Sequence, residues 1–232
     1  MQRDGSDEMP TAEDALRSLV EGNRRFRKSD GAASAHGWSH ELADSVQRPF
    51  AVVLGCSDSR TPVEIVFDQG FGELFVVRVA GNIVAPSVVG SIEFAVSQYG
   101  TRLVVVMGHT RCGAIGATVQ ALETGAGPES KNIRDITDRI APHIQGIIGP
   151  SNSEDVIRQA MRANVRHSAE HLRRGSRILE ELVLAEGVLV VGAEYELETG
   201  FVRFFDGVPE SLLVPPSPGS TPGRHTLFAP RD

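Results

Sequence analysis

The chain has two cysteines, Cys56 and Cys112, and each stands in a short polar segment: Gly55-Cys56-Ser57-Asp58-Ser59-Arg60 and Gly108-His109-Thr110-Arg111-Cys112-Gly113. Two thiolates and an imidazole suit Zn2+, which takes tetrahedral sulfur and nitrogen ligands and in catalytic sites keeps a fourth position for water. Cys56, His109 and Cys112 are therefore the expected metal ligands. Two thiolates cancel the ion's formal charge, so they acidify bound water less than three neutral histidines would, and another group must help stabilise hydroxide. Asp58 can accept a hydrogen bond from that hydroxide, and Arg60 can hold Asp58 ionised through a bidentate fork. If the segment stays extended, Cys56, Asp58 and Arg60 share one side, because side chains alternate. Taken singly, a buried Cys is an ordinary small core residue, and Asp beside Arg is an ordinary surface pair. Their joint placement at two strand ends is what points to a metal.

Those ends belong to continuous apolar runs, Phe50–Leu54, Leu74–Val79, Leu103–Met107 and Val188–Val191, which read as strands buried on both faces of a parallel sheet. Phe201–Phe205, after the turn-like Glu198-Thr199-Gly200, reads as a final edge strand. Thr11-Ala12-Glu13-Asp14 is a capping box, opening an amphipathic helix with Ala12, Ala15, Leu16, Leu19 and Val20 on one face, an arm ahead of the core. Val88, Ile92, Ala95, Val96 and Tyr99 mark another helix face, while Asn132 and Ser153 are expected caps of two further helices reaching about His143 and His171. The predicted fold is α/β: a central, mostly parallel sheet flanked by helices, with an N-terminal helical arm and an antiparallel edge strand. Its expected divisions are an arm and connecting segment over 1–48, a zinc-binding catalytic core over 49–206, and a Pro-rich tail over 207–232 without a core of its own. Both polar motifs follow the carboxyl ends of strands, where open α/β sheets place their crevices.

A formal charge of -7 and a pI near 5.5 weigh against nucleic acid, which needs a concentrated basic face. The densest basic cluster, Arg24, Arg25, Arg27 and Lys28, reads as the solvated side of a helix. No apolar run approaches the roughly 20 residues that span a bilayer. The acidic start lacks a secretory pattern, so a cytoplasmic protein with both cysteines as thiols is expected. His36/His40 and His167/His171 have helical i, i+4 spacing but no completing carboxylate, and read as surface histidines. Ser57 and Ser59 lack the glycine-flanked elbow of a nucleophile, and Gly70-Phe71-Gly72 lacks the third glycine of a dinucleotide fingerprint.

CSDSR at 56–60, RVAGN at 78–82 and GHTRCGA at 108–114 resemble the β-class carbonic anhydrases, and the likeness extends to residues 21–26 and 191–200. The resemblance implies a homodimer or dimer-based homo-oligomer, with an N-terminal arm embracing the second subunit, and reversible hydration of CO2 to bicarbonate by zinc-bound hydroxide. It implies Cys56, His109 and Cys112 as zinc ligands, and Asp58 and Arg60 as the dyad, with Asp58 either a catalytic partner or a fourth ligand. Members with a regulatory bicarbonate pocket carry Trp three residues before the first ligand; Val53 stands there here, with Arg78 and Tyr195 in neighbouring positions. Gln69 is the glutamine nearest the place from which other members reach substrate. Alternatives are hydrolysis of carbon disulfide or carbonyl sulfide in the same site, a non-catalytic zinc or bicarbonate sensor, and a thiol redox role. No residue identifies itself as the proton shuttle.

Overall fold

Strands made of apolar runs rich in Val and Leu require cover on both faces of their sheet, and the computed structural model, which describes residues 9–29, 41–44, 46–148 and 154–213, has that cover. The strands are β1 (Ala51–Gly55), β2 (Leu74–Arg78), β3 (Leu103–His109), β4 (Leu189–Tyr195) and β5 (Val202–Asp206). They form one sheet in the order β2-β1-β3-β4-β5, parallel except for the antiparallel β4–β5 pair. The helices are α1 (Ala12–Lys28), α2 (Glu41–Asp44), α3 (Val63–Val66), α4 (Pro86–Tyr99), α5 (Gly113–Thr124), α6 (Lys131–Ile144), α7 (Glu154–Arg174), α8 (Arg177–Ala185) and α9 (Glu210–Leu213). The expected α/β architecture with its antiparallel edge strand is what the structure has.

Alternation along each strand builds two cores. Val52, Leu54, Val104, Val106 and Val190 face α4 to α8, whereas Ala51, Val53, Val105, Val191 and Phe204 face α1 and α3. The helix α7 lies close across β3 and β4 because glycines leave room: a Cβ at Gly108 would come within 2.6 Å of Met161 and Val165, and one at Gly192 within 2.9 Å of Val165.

Several expectations shift. Thr11 does cap α1, accepting from the Asp14 N–H at 3.2 Å, but the helix does not stand ahead of the core: Ala15, Leu16 and Leu19 are fully buried in the second one. Asn23 fastens it, donating to the carbonyls of Val66 and Gly200 and accepting from the Val202 N–H. The basic cluster is partly structural, with Arg25 paired to Asp68 at 2.5 Å and Arg27 lying over the Phe201 ring. The cap of α6 is Ser130, whose hydroxyl accepts from the Ile133 N–H, so Asn132 falls inside the first turn. Ser153 lies outside the described residues. Helix α8, capped by Ser176, was not expected at all. The tail begins with α9, whose Leu212 is buried in the second core, so its first residues do not lack a core contact; residues 214–232 are outside the described ones. No described helix is long and apolar enough to cross a membrane.

Candidate metal centre

The chain runs from β1 outward to β2 and returns past β1 to β3, so its direction of winding reverses between β1 and β3; ligands of open α/β sheets bind outside the carboxyl ends of strands at such a point. Gly55 pairs with Met107 in the register, and so Cys56 and His109 leave the sheet at one edge. After His109 the backbone reverses through Arg111, in the left-handed region at φ 56°, and Cys112 becomes the cap residue of α5. That reversal brings the second sulfur back toward the first.

The result is a tight donor set. The Sγ atoms of Cys56 and Cys112 are 3.9 Å apart, and the donor atoms of Cys56, His109 and Cys112 all lie within 4.8 Å of one another, on three buried residues. His109 Nδ1 lies 2.9 Å from the Thr110 carbonyl oxygen; only a protonated nitrogen can donate there, so Nε2 presents its lone pair. That Nε2 is buried and has no hydrogen-bond partner, an expensive condition for a polar atom. A metal ion would relieve it, and the set could hold one. Without a cation the two sulfurs cannot both ionise cheaply. The hydrogen bond from the Cys112 thiol pulls the Cys56 pKa down despite burial, while that same bond, then burial and the Cys56 charge, push Cys112 up against the amides of Ile115 and Ala114.

Asp58 and Arg60 meet as expected but by another route. The Thr61 N–H reaches the Asp58 carbonyl at 3.1 Å and the Arg60 N–H reaches Asp58 Oδ1 at 2.9 Å, so the segment turns rather than staying extended. The turn delivers a bidentate clasp, Arg60 Nε to Oδ1 at 2.9 Å and Nη2 to Oδ2 at 2.7 Å. This fork holds the Asp58 carboxyl well below the usual carboxylate range, against partial burial. Asp58 Oδ2 lies 3.9 Å from His109 Nε2, and Asp58 is not part of the close donor set.

Supporting bonds come from residues to which the sequence assigned no task here. Thr61 Oγ1 donates to the carbonyls of Cys56 and Asp58, and Arg78 donates to the same two carbonyls at 2.9 and 2.6 Å. The Gly81 N–H points at Cys56 Sγ, 3.4 Å away. Arg60 Nη2 also reaches the Arg111 carbonyl at 3.4 Å, and the Arg111 side chain pairs with Glu154 and Glu198. The signal for Arg78 and Gly81 was their place in RVAGN; for Arg111 it was its position between two ligands. Tyr195, opposite His109 in the register, is buried in the second core. Gln69 is turned to the Phe67 carbonyl at 2.8 Å. Beside His109 opens a cavity of about 540 Å³ lined by Arg111, Glu154, Arg158, Glu196 and Glu198, a charged lining that excludes Cys56 and Asp58. His36 and His40 are outside the described residues; His167 and His171 lie far along α7, grouped with His143.

The carbonic anhydrase family model matches residues 51–202. Carbonic anhydrase 2 of Mycobacterium tuberculosis strain H37Rv is 34% identical over 187 residues, covering 80% of this chain and 89% of that protein. The carbonic anhydrase of Mycolicibacterium smegmatis is 37% identical over 190 residues, covering 82% and 91%. One of two tetrameric β-carbonic anhydrases of Sordaria macrospora superposes with a TM-score of 0.64 at 20% identity, over 82% of this chain and 96% of that one. The β-carbonic anhydrase CafA of Aspergillus fumigatus superposes with a TM-score of 0.63 at 23% identity, over 86% and 93%. These two superpositions speak for the fold alone. With a family match running from β1 to the first residue of β5, and relatives aligned over four-fifths of its length, the chain belongs to the β-carbonic anhydrases.

Proposed function

We propose that the protein catalyses the reversible hydration of CO2 to bicarbonate and a proton, at a zinc ion held by Cys56, His109 and Cys112. The observation that carries this reading is the unpartnered, buried His109 Nε2 turned toward two thiols, with an arginine-locked carboxylate 3.9 Å away. The donor set fits the ion: two sulfurs each about 2.3 Å from a tetrahedral zinc lie about 3.8 Å apart, and these lie 3.9 Å apart. A disulfide would need about 2.05 Å. When bound, zinc supplies the Lewis acidity that makes water a nucleophile near neutral pH.

The chain's own residues then give the reaction its direction. Arg60 keeps Asp58 ionised, so Asp58 is purely an acceptor. Its Oδ2 accepts the O–H of the nucleophile, a water that has given its other proton to buffer, and turns an oxygen lone pair toward the carbon of CO2; as the new C–O bond forms, one C=O electron pair moves onto oxygen and bicarbonate results. The double clasp supports Asp58 as acceptor rather than fourth ligand, because it holds the carboxylate on Arg60 and outside the close Cys56–His109–Cys112 donor set. Arg78 and Thr61, by fixing the Cys56 and Asp58 carbonyls, keep the sulfur and the carboxylate in register. A homodimer or a dimer-based oligomer belongs to this reading, supported by exposed Phe71 and Phe94 near the edge strand β2. So does a reducing, cytoplasmic setting, supported by two free thiols.

The test is zinc analysis with stopped-flow CO2 hydration from about pH 6.5 to 9, a range chosen to span the ionisation of water at zinc. One zinc per chain and hydration that rises with pH are expected. Folded, zinc-replete protein without hydration at any pH would overturn the assignment.

A further inference from the structure

Helix α7 carries two polar residues on its buried face, Asn164 and Ser168, each about 2% exposed and one helical turn apart among Met161, Val165, Ala169 and Leu172. Both reach the same short turn between β2 and α4. Asn164 Nδ2 donates to the Gly81 carbonyl at 2.8 Å, and Ser168 Oγ donates to the Asn82 carbonyl at 3.3 Å. The turn needs holding, because Gly81 and Asn82 are consecutive left-handed residues, at φ 68° and 43°. Its own side chain does not supply the hold: Asn82 Nδ2 is buried without a hydrogen-bond partner. Nor is there room to move, since a Cβ at Gly81 would lie 2.9 Å from Ile140 and 3.1 Å from Ala114. The other side of Gly81 faces the metal centre, with its N–H 3.4 Å from Cys56 Sγ.

We propose that Asn164, assisted by Ser168, is a positioning residue for the metal centre: from α7 it locks the left-handed Gly81–Asn82 turn so that the Gly81 N–H stays aimed at the Cys56 sulfur. The proposal rests on the reading of Cys56 as a metal ligand. An N–H on a thiolate takes up part of the sulfur's charge and fixes its direction, so a two-thiolate site keeps a stronger Lewis acid than its formal charges suggest; outer partners of this kind change metal affinity about 10- to 100-fold when lost. Asn164 touches neither metal nor substrate and acts through Gly81.

The experiment loads the full chain with Co2+ and records the thiolate-to-cobalt charge-transfer band, then measures Zn2+ affinity by competition with a chelator. Asn164→Leu keeps the side-chain shape and removes the donor; it should shift the band and weaken affinity about tenfold or more, with Ser168→Ala moving both in the same direction by less. Leu172→Ala, a core truncation on the same helix, should lower thermal stability and leave the band in place. A band and affinity in Asn164→Leu that superpose on wild type, or an equal shift in Leu172→Ala, would overturn the proposal alone. A wild-type chain with no thiolate band would overturn the ligand reading and this proposal with it. Should Asn164→Leu fail to fold, Ser168→Ala, which removes the longer of the two bonds, decides by the same two readouts.

Discussion

Asp58 and Glu194 are both carboxylates clasped by arginine near one edge of the sheet, yet their surroundings set them to different tasks. Glu194, on β4, is 1% exposed and sits between Arg158 at 2.5 Å and Arg162 at 2.6 Å, both from α7. Arg158 Nε and Glu194 Oε1 approach without the alignment of a hydrogen bond, so that contact is mainly charge on charge. Asp58 sits on a turn, meets a single guanidinium, keeps 17% of its side chain open, and lies 3.9 Å from an imidazole nitrogen that has no hydrogen-bond partner. An arginine partner is thus no mark of function by itself. What separates the two is a neighbour that needs a ligand and an open side from which a small molecule can arrive. Glu194 instead ties β4 to α7 as a buried carboxylate held by two guanidiniums that are themselves about a third exposed.

Substitution should separate the pair cleanly. Asp58→Ala should lower CO2 hydration by on the order of 10²–10⁴-fold, the range for a lost acid–base group, with zinc content unchanged and stability altered by about 1 kcal/mol or less, because Arg60 is half exposed and solvent screens the pair. Metal analysis, thermal melts and stopped-flow on one preparation check all three; full turnover in this variant would dissolve the contrast. Glu194→Ala should do the reverse, costing about 1–3 kcal/mol of stability, because Arg162 loses its carboxylate while Arg158 keeps Glu196 and both guanidiniums are about a third exposed, while the protein still folded retains its hydration rate per zinc. A Glu194→Ala chain with wild-type stability and no activity would move Glu194 into the site. Smaller still, Arg60→Lys should cost about tenfold in rate, roughly 1.4 kcal/mol, because an ammonium cannot reproduce the two-pronged fork.

The same contrast explains what the sequence made legible. That Cys56, His109 and Cys112 come together, and Asp58 with Arg60, was readable because the pairing tendencies are intrinsic to residue type and their strands announce themselves as apolar runs. The way Asp58 meets Arg60 was not, since hydrogen bonds from Arg60 and Thr61 make a local turn that overrides strand alternation. Ser130 took the cap expected at Asn132 because helix starts among several polar residues are decided by which hydroxyl meets an orphan N–H. Asn164 and Glu194 are long-range partners, and only the folded α7 shows what they reach. Their trace in sequence is a polar residue on an otherwise apolar face, a pattern that names an anomaly without naming its partner. Leu16 and Leu19 show the opposite error: amphipathicity gave the helix, but not that its apolar face belonged to this chain's own core.

The smallest predicted effect concerns a third charged region, where neutrality rather than pairing is at stake. His143 of α6 stacks on His167 of α7, with ring centroids 3.2 Å apart and planes 13° apart, and His171 stands edge-on to His167. Burial, then the neighbouring imidazoles, lowers the pKa of His167, and burial followed by His171 lowers that of His143. A folded pKa below the ordinary value near 6.5 means that the unfolded chain binds protons more readily in that window, so stability is full above about pH 6.5 and is lost as pH falls through it toward the folded values. Thermal midpoints should therefore decline between pH 7 and 5, beginning at the α6–α7 seam. His143→Phe keeps a ring to stack on His167 while removing one proton acceptor and the repulsion it feels, and should flatten that acid limb without changing hydration at pH 8. The measurement is a melting series over pH on both proteins. An unchanged slope in His143→Phe would leave the histidine stack as packing alone.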